Sequence, residues 1–103
     1  MRSQPVEVLE DVEADLRAAQ AYYDSWRTDG SAFFLRQFRD TVAWIAWNPE
    51  LFPRRYRFFR RAIVRQTYFG IFFAIEPSVT TIVAVVDLRQ RPGALRRLVK
   101  TRR

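Results

Sequence analysis

Two long apolar runs set the tightest limit on how this chain can fold. Phe69 to Ile75 and Thr80 to Leu88 are almost free of charge. Runs of this length, rich in β-branched and aromatic residues, read as strands buried in the middle of a sheet. Glu76-Pro77-Ser78 joins them as a tight turn, so the two strands should pair as a hairpin. Every other element has to be placed around that pair.

The first half of the chain supplies an apolar layer. Val6 and Val8 alternate with Glu7 after Pro5, which predicts a short strand. Val12, Leu16, Ala19, Tyr23 and Trp26 then recur at helical spacing, with Asp11, Glu13 and Asp15 where the helix dipole favours negative charge. Thr28-Asp29-Gly30-Ser31 reads as a turn in which Gly30 takes a left-handed conformation and Ser31 caps the next helix. Leu35, Phe38, Val42 and Ile45 form a second stripe, closed by Asn48-Pro49. So short a loop makes the helices an antiparallel hairpin. After Pro53, Arg54 to Arg57 reads as an edge strand and Ala62 to Arg65 as another. The order predicts an α+β fold: an N-terminal strand and an antiparallel helical hairpin packed on one face of a small, mainly antiparallel β-sheet. Trp26, Phe34, Phe38, Trp44, Phe72 and Phe73 are the expected aromatic core. Residues 1–103 read as one domain, with a basic tail over about 93–103. In that tail Leu95, Leu98 and Val99 give a weak helical stripe, and a disordered segment is the alternative.

Charge divides the chain. Residues 1–50 carry five Arg against nine acidic residues, whereas residues 51–103 carry thirteen basic residues against only Glu76 and Asp87. Seventeen of the eighteen basic residues are Arg. Codon bias explains a preference for Arg over Lys, but not its concentration in one half. A basic half points to a polyanionic partner, because the guanidinium fork suits phosphate and carboxylate. The chain has no cysteine and no histidine, which removes disulfides, thiolate metal sites and the commonest general base. No metal or cofactor is expected. An acidic start without an apolar core is no signal peptide, and no run reaches membrane-spanning length, so a cytoplasmic protein without a membrane partner is expected.

Four motifs in order resemble the RelE/ParE toxin superfamily from about Val6 to Arg97. They are Glu13-Ala14-Asp15-Leu16 followed by Tyr22-Tyr23, Ile45 through Asn48-Pro49 to Phe52-Pro53, Tyr56 through Arg60-Arg61-Ala62-Ile63-Val64-Arg65 to Phe73, and Ala84-Val85-Val86-Asp87-Leu88-Arg89-Gln90-Arg91-Pro92. The resemblance implies the toxin of a type II toxin–antitoxin pair that arrests growth. An antitoxin from an adjacent gene would neutralise it in a hetero-oligomer. It also implies that a concave sheet face with a basic rim binds the target.

On that resemblance the target-binding cluster is Arg61, Arg65, Arg89 and Arg91, with Arg61 and Arg65 on one face of an alternating strand. The antitoxin surface is Tyr22, Tyr23 and Trp26 with Arg61, Arg65 and Arg89. Members that cut messenger RNA on the ribosome use Arg and Lys on the sheet with a C-terminal Tyr or His. Here the His position holds Asp87 and the stacking Tyr position holds Leu95, with Tyr68 the nearby substitute. Arg stabilises charge but transfers protons poorly, so no residue is assigned a catalytic role and enzymatic activity stays open. A ParE-like inhibitor of DNA gyrase fits the missing groups best. A RelE-like ribosome-dependent endoribonuclease is the first alternative, and a non-toxic basic nucleic-acid-binding module the second. Each residue also has a plainer reading: core packing for Tyr22, Tyr23 and Trp26, a solvated edge for Arg54, Arg55 and Arg57, and an ion pair with Arg89 or Arg91 for Asp87.

Overall fold

The computed structural model describes residues 3–102. Strand β1 (Val6–Val8) leads to helices α1 (Val12–Asp24) and α2 (Gly30–Trp47) and a 3-10 turn at Pro49–Leu51. Strands β2 (Arg54–Tyr56), β3 (Phe59–Ile63), β4 (Phe69–Ile75) and β5 (Thr80–Asp87) and helix α3 (Pro92–Arg102) follow. The sheet order is β1-β5-β4-β3-β2. The two apolar runs are its centre, antiparallel, with Gly70 opposite Val86 and Ile75 opposite Thr80. The turn between them closes with the Glu76 N–H on the Val79 carbonyl at 2.9 Å. Only β1 runs parallel to its neighbour, pairing Val6 with Thr80.

The sheet is covered on both faces. Val12, Ala19, Tyr23, Phe34 and Ile45 of the helical hairpin pack on Ala62, Ile71, Phe73, Ile82 and Val85. On the opposite face Leu95 and Val99 pack on Phe59, Phe72, Ala74, Val83 and Val86. The helical hairpin packs on one face as expected; the second layer is an addition, and it decides between the helical and the disordered reading of the tail. Residues 92–102 are a helix, and Leu95 is 7 % exposed. Burial of Leu95 and Val99 helps to anchor a helix whose own stripe is narrow. Arg103, the end of the expected tail, lies outside the described residues, as do Met1 and Arg2. No helix among the described residues is long and apolar enough to cross a membrane.

Several local expectations change for steric reasons. Gly30 does not adopt a positive φ; it opens α2. A Cβ there would lie 2.1 Å from the Tyr23 carbonyl carbon, so glycine is needed for close approach of the two helices. Ser31 does not cap α2. Its N–H and hydroxyl instead donate to the Asp24 carboxylate at 2.7 and 2.5 Å. Strand β2 ends at Tyr56, with Arg57 in the turn at φ 53°. Strand β3 begins three residues earlier than expected and stops at Ile63, leaving Arg65 in a turn where Gln66 has φ 62°. Trp26 falls beyond the end of α1 and is 71 % exposed, and Trp44 is 57 % exposed on the outer side of α2. Neither belongs to the core. Phe34, Phe72 and Phe73 do, and Phe38 packs on its margin.

β1 covers β5 only as far as Ile82, where the Leu9 N–H reaches the Ile82 carbonyl at 3.0 Å. The outward backbone groups beyond it are taken by side chains. Asp15 of α1 accepts the Val85 N–H at 2.9 Å, and Arg102 of α3 donates to the Val83 carbonyl at 3.1 Å. The two side chains also pair with each other at 2.5 and 3.0 Å. This pair joins the layers on opposite faces of the sheet around its edge. Its side chains are only 13 % and 12 % exposed. Removing one partner of such a pair leaves a buried charge and an open strand group. Asp15→Asn or Arg102→Met should therefore cost about 3 kcal/mol. The double substitution should cost clearly less than the sum, because no unpaired charge is left. Urea unfolding of the four proteins measures this, and single losses below about 0.5 kcal/mol would show the clamp to be idle.

Candidate functional site

The end of the sheet where β5 leaves the core gathers the residues marked by the sequence, but in two hollows rather than one. Tyr22 and Tyr23 lie in the last turn of α1, with rings edge to face at 5.0 Å, and the Tyr22 ring lies 6.2 Å from Trp26. Tyr23 is buried against Phe34, and its hydroxyl accepts the Tyr68 N–H at 3.2 Å. That bond fixes the turn between β3 and β4 against the helix. Beyond β5, the Arg89 guanidinium sits 4.9 Å from the Tyr22 ring centre and 4.7 Å from that of Tyr68. Tyr22, Tyr23, Trp26, Tyr68 and Arg89 line an aromatic hollow of about 300 Å³.

Arg89 is a neutralised cation. Its Nε and Nη2 donate to the two Asp87 oxygens at 3.0 and 2.6 Å. Asp87 raises the Arg89 pKa further, with the Tyr22 phenol contributing, while Arg89 holds the Asp87 carboxyl below its ordinary value. Fork-to-fork pairing fixes the guanidinium plane between the two tyrosines. Asp87 therefore forms the ion pair that its sequence position allows.

Arg61 lies elsewhere. Alternation along β3 sends Arg60 and Arg61 to opposite faces. Arg60 spends its charge inside the fold, with Nη1 donating to the Phe52 and Glu50 carbonyls at 2.6 and 3.3 Å. Arg61 points to the α3 side, into a hollow of about 150 Å³ whose walls include Arg55, Tyr56, Phe72, Leu88, Leu95 and Arg96. Its Nε is buried and has no hydrogen-bond partner among the described residues. Burial, and secondarily repulsion from Arg55, lower its pKa. The structure thus separates Arg61 from Arg89. Arg65 is exposed in its turn, and Arg91 is exposed just before α3, its carbonyl accepting the Ala94 and Leu95 N–H groups. The expected placement of Arg61 and Arg65 on one strand face fails because the strand ends between them.

Leu88, Arg89 and Gln90 alternate between the hollows. Leu88 and Gln90 line the basic one and Arg89 the aromatic one. Gly70 makes this possible, since a Cβ there would lie 2.8 Å from a Leu88 methyl carbon. Sequence reasoning missed Arg96 and Tyr56 as neighbours of Arg61, and read Arg55 as an edge residue. Helical spacing from Leu95 and cross-strand pairing of β2 with β3 were the available signals. A third hollow of about 370 Å³, almost wholly apolar, lies against Ala43, Trp44 and Trp47 on the outer face of α2.

No protein-family model and no curated protein matches this chain. Among solved structures it is similar to a chain of "Chromosomal ParDE TA system from P. aeruginosa", with a TM-score of 0.73 and 12 % identity. The match covers 82 % of this chain and 96 % of that one. At this identity the likeness is one of fold, the α+β fold that this chain shares with the ParDE chain.

The Asp87–Arg89 pair gives a signed pH dependence. A carboxyl whose folded pKa is depressed stabilises the fold above its unfolded value of about 3.9. That stabilisation is lost as pH falls through the lower folded value. The stability advantage of the parent over Asp87→Asn should be constant above about pH 5 and shrink toward pH 2. Melting curves across that range check it, and an advantage that grows on acidification would contradict the pairing.

Proposed function

We propose that this chain is the toxin of a two-component toxin–antitoxin module, that it acts by binding a protein target, DNA gyrase, and that an antitoxin holds it inactive. The observation that carries this reading is the shared fold with a chain of a ParDE toxin–antitoxin structure over nearly the whole of that chain.

The choice of binding over RNA cleavage rests on the chemistry available around Arg61. Attack of a ribose hydroxyl on phosphate requires groups that accept and donate protons near neutrality. The basic hollow offers guanidinium groups, the Tyr56 phenol and apolar walls, and the chain contains no imidazole. Leu95, at the position where nuclease members carry a stacking Tyr, is buried and holds α3 to the sheet. These residues can stabilise negative charge and fix a partner; they are poor at moving protons.

The antitoxin surface follows from the two hollows. An amphipathic segment would set apolar side chains against Tyr22, Trp26 and the flat face of Arg89. It would then cross the Leu88–Gln90 segment to bring carboxylates to Arg61, with exposed Arg65 and Arg91 at the rim. Arg89 is already paired, so it would contribute surface more than charge.

Induced expression of the chain alone should arrest bacterial growth, and co-expression of its genomic neighbour should relieve the arrest. In purified assays it should block supercoiling by gyrase and leave a message on translating ribosomes intact. Trp26→Ala should weaken antitoxin binding by about tenfold or more, as truncation of an aromatic anchor does. Normal growth with abundant folded protein would overturn the toxin reading. Codon-specific cleavage with unimpaired supercoiling would replace gyrase with the ribosome.

A further inference from the structure

We infer that the hollow around Arg61 is a socket for a single carboxylate presented by a protein partner. This deepens the toxin reading, on which it rests for the existence of that partner, by naming the group the partner must insert.

The inference starts from an incomplete guanidinium. An arginine with a buried Nε that lacks an acceptor bears a desolvation cost that an ordinary surface arginine escapes. Its neighbours add to the cost instead of relieving it. Arg55 and Arg96 share the hollow, and no acidic residue lines it. Two other arginines of the sheet region are satisfied within the fold, Arg60 by carbonyls and Arg89 by Asp87. Arg102, at the far end of α3, is satisfied by Asp15. Among these four, Arg61 alone is half-buried beside like charge with a buried Nε that lacks an acceptor. One anion would offset the positive charge that Arg55, Arg61 and Arg96 gather in the hollow.

Shape and wall chemistry favour carboxylate over a nucleic-acid phosphate. Nε is shut away from solvent, so an incoming anion meets the outer end of the guanidinium, where the two Nη groups form a planar two-donor fork. A carboxylate is planar and fills that fork with both oxygens. The hollow holds about 150 Å³ and is walled by Tyr56, Phe72, Leu88, Leu95 and the Pro92 ring. Such walls suit the methylenes of a Glu side chain. A phosphodiester is tetrahedral, carries a sugar on each side and needs a more open approach. Arg55 and Arg96 at the rim would draw in an acidic segment and then neutralise its remaining charge.

The test uses the full chain labelled with 15N-arginine and follows the Arg61 Nε–Hε signal, assigned by its absence in Arg61→Lys. Hexaglutamate, hexathymidylate and inorganic phosphate are titrated at matched ionic strength. Hexaglutamate should shift the Arg61 signal saturably. Arg61→Lys, which keeps the charge and loses the fork, should weaken hexaglutamate binding about tenfold. Arg97→Gln, on the exposed side of α3, should leave it nearly unchanged. Arg61→Met should raise the melting temperature by several degrees, because an uncompensated cation is replaced by an apolar side chain. A larger Arg61 response to hexathymidylate or phosphate than to hexaglutamate would overturn the inference in favour of a phosphate site. No response to any probe, equal losses in Arg61→Lys and Arg97→Gln, or a lowered melting temperature for Arg61→Met would each also overturn it. These readouts need neither growth arrest nor gyrase, so the socket and the toxin reading can fail separately.

Discussion

The ion pair between Asp15 and Arg102 is the contact on which the layering of this protein depends. Strand β5 is the longest in the sheet, and β1 pairs with fewer than half of its residues. An uncovered edge at that point would leave buried N–H and C=O groups without partners and invite pairing with other chains. Asp15 takes one of those groups and Arg102 another, and each reaches its place from a different face of the sheet. Most buried ion pairs add little net stability, because desolvation offsets attraction. This one has further acceptors and donors on both sides, including Asp11 at 3.7 Å from Arg102. Those extra partners, and the edge that it closes, distinguish it from an isolated surface pair.

Closing α3 over the sheet changes the character of the surface on that side. A bare concave sheet would present a broad basic face suited to a long polyanion. With Leu95 and Val99 seated on Phe72, Val83 and Val86, the open part shrinks to the small hollow around Arg61. The charge of the second half is thereby partitioned. Arg60, Arg89 and Arg102 are paired within the fold, Arg65 and Arg91 lie in water, and Arg61 is half-buried with its Nε unpaired. The same alternation of β3 that sends Arg60 to the carbonyls of the 3-10 turn sends Arg61 to the side without acceptors. Two adjacent residues of one kind thus acquire opposite roles from the two-residue period of a strand.

The centre of the fold was readable because burial on both faces leaves a plain mark, an apolar run bounded by a turn. Both central strands and both hairpin helices are where their periodicity puts them. The pairing of Asp87 with Arg89 was readable too, since residues two apart beyond a strand end can meet through long side chains. What escaped depended on tertiary contact. Residues 92–102 carry a narrow stripe among arginines, and only the sheet beneath decides that it is a helix. Trp26 continued the spacing of α1, yet the chain turns at Ser25 because Gly30 must meet the Tyr23 backbone. The shift of β3 has a similar origin. Phe58-Phe59 and Arg60-Arg61 do not alternate cleanly, and the strand is placed by pairing Arg60 with Phe73 and Ile63 with Gly70. The candidate site was legible in its residue types and not in its grouping, because a two-residue error in a strand end moves Arg65 off the face that it was expected to share with Arg61.

A cation with a buried, unpaired donor destabilises a small domain, and a chain of this size has little stability to spare. Such a group persists in a fold where its cost is repaid by something that binds. The aromatic hollow makes the contrast plain: there the Arg89 charge is matched by Asp87, and the surface is neutral and rich in tyrosine, suited to contact area. The basic hollow is small, charged and unmatched, suited to one specific anion. Set on either side of the Leu88–Gln90 segment, they divide between them the two requirements of a tight protein interface, apolar anchors and an electrostatic register. Under the proposed reading, the two hollows together are the surface that a single acidic, amphipathic segment would cover. On the proposed reading, a toxin that acts by binding would be held inactive by a partner that occupies the groups with which it binds.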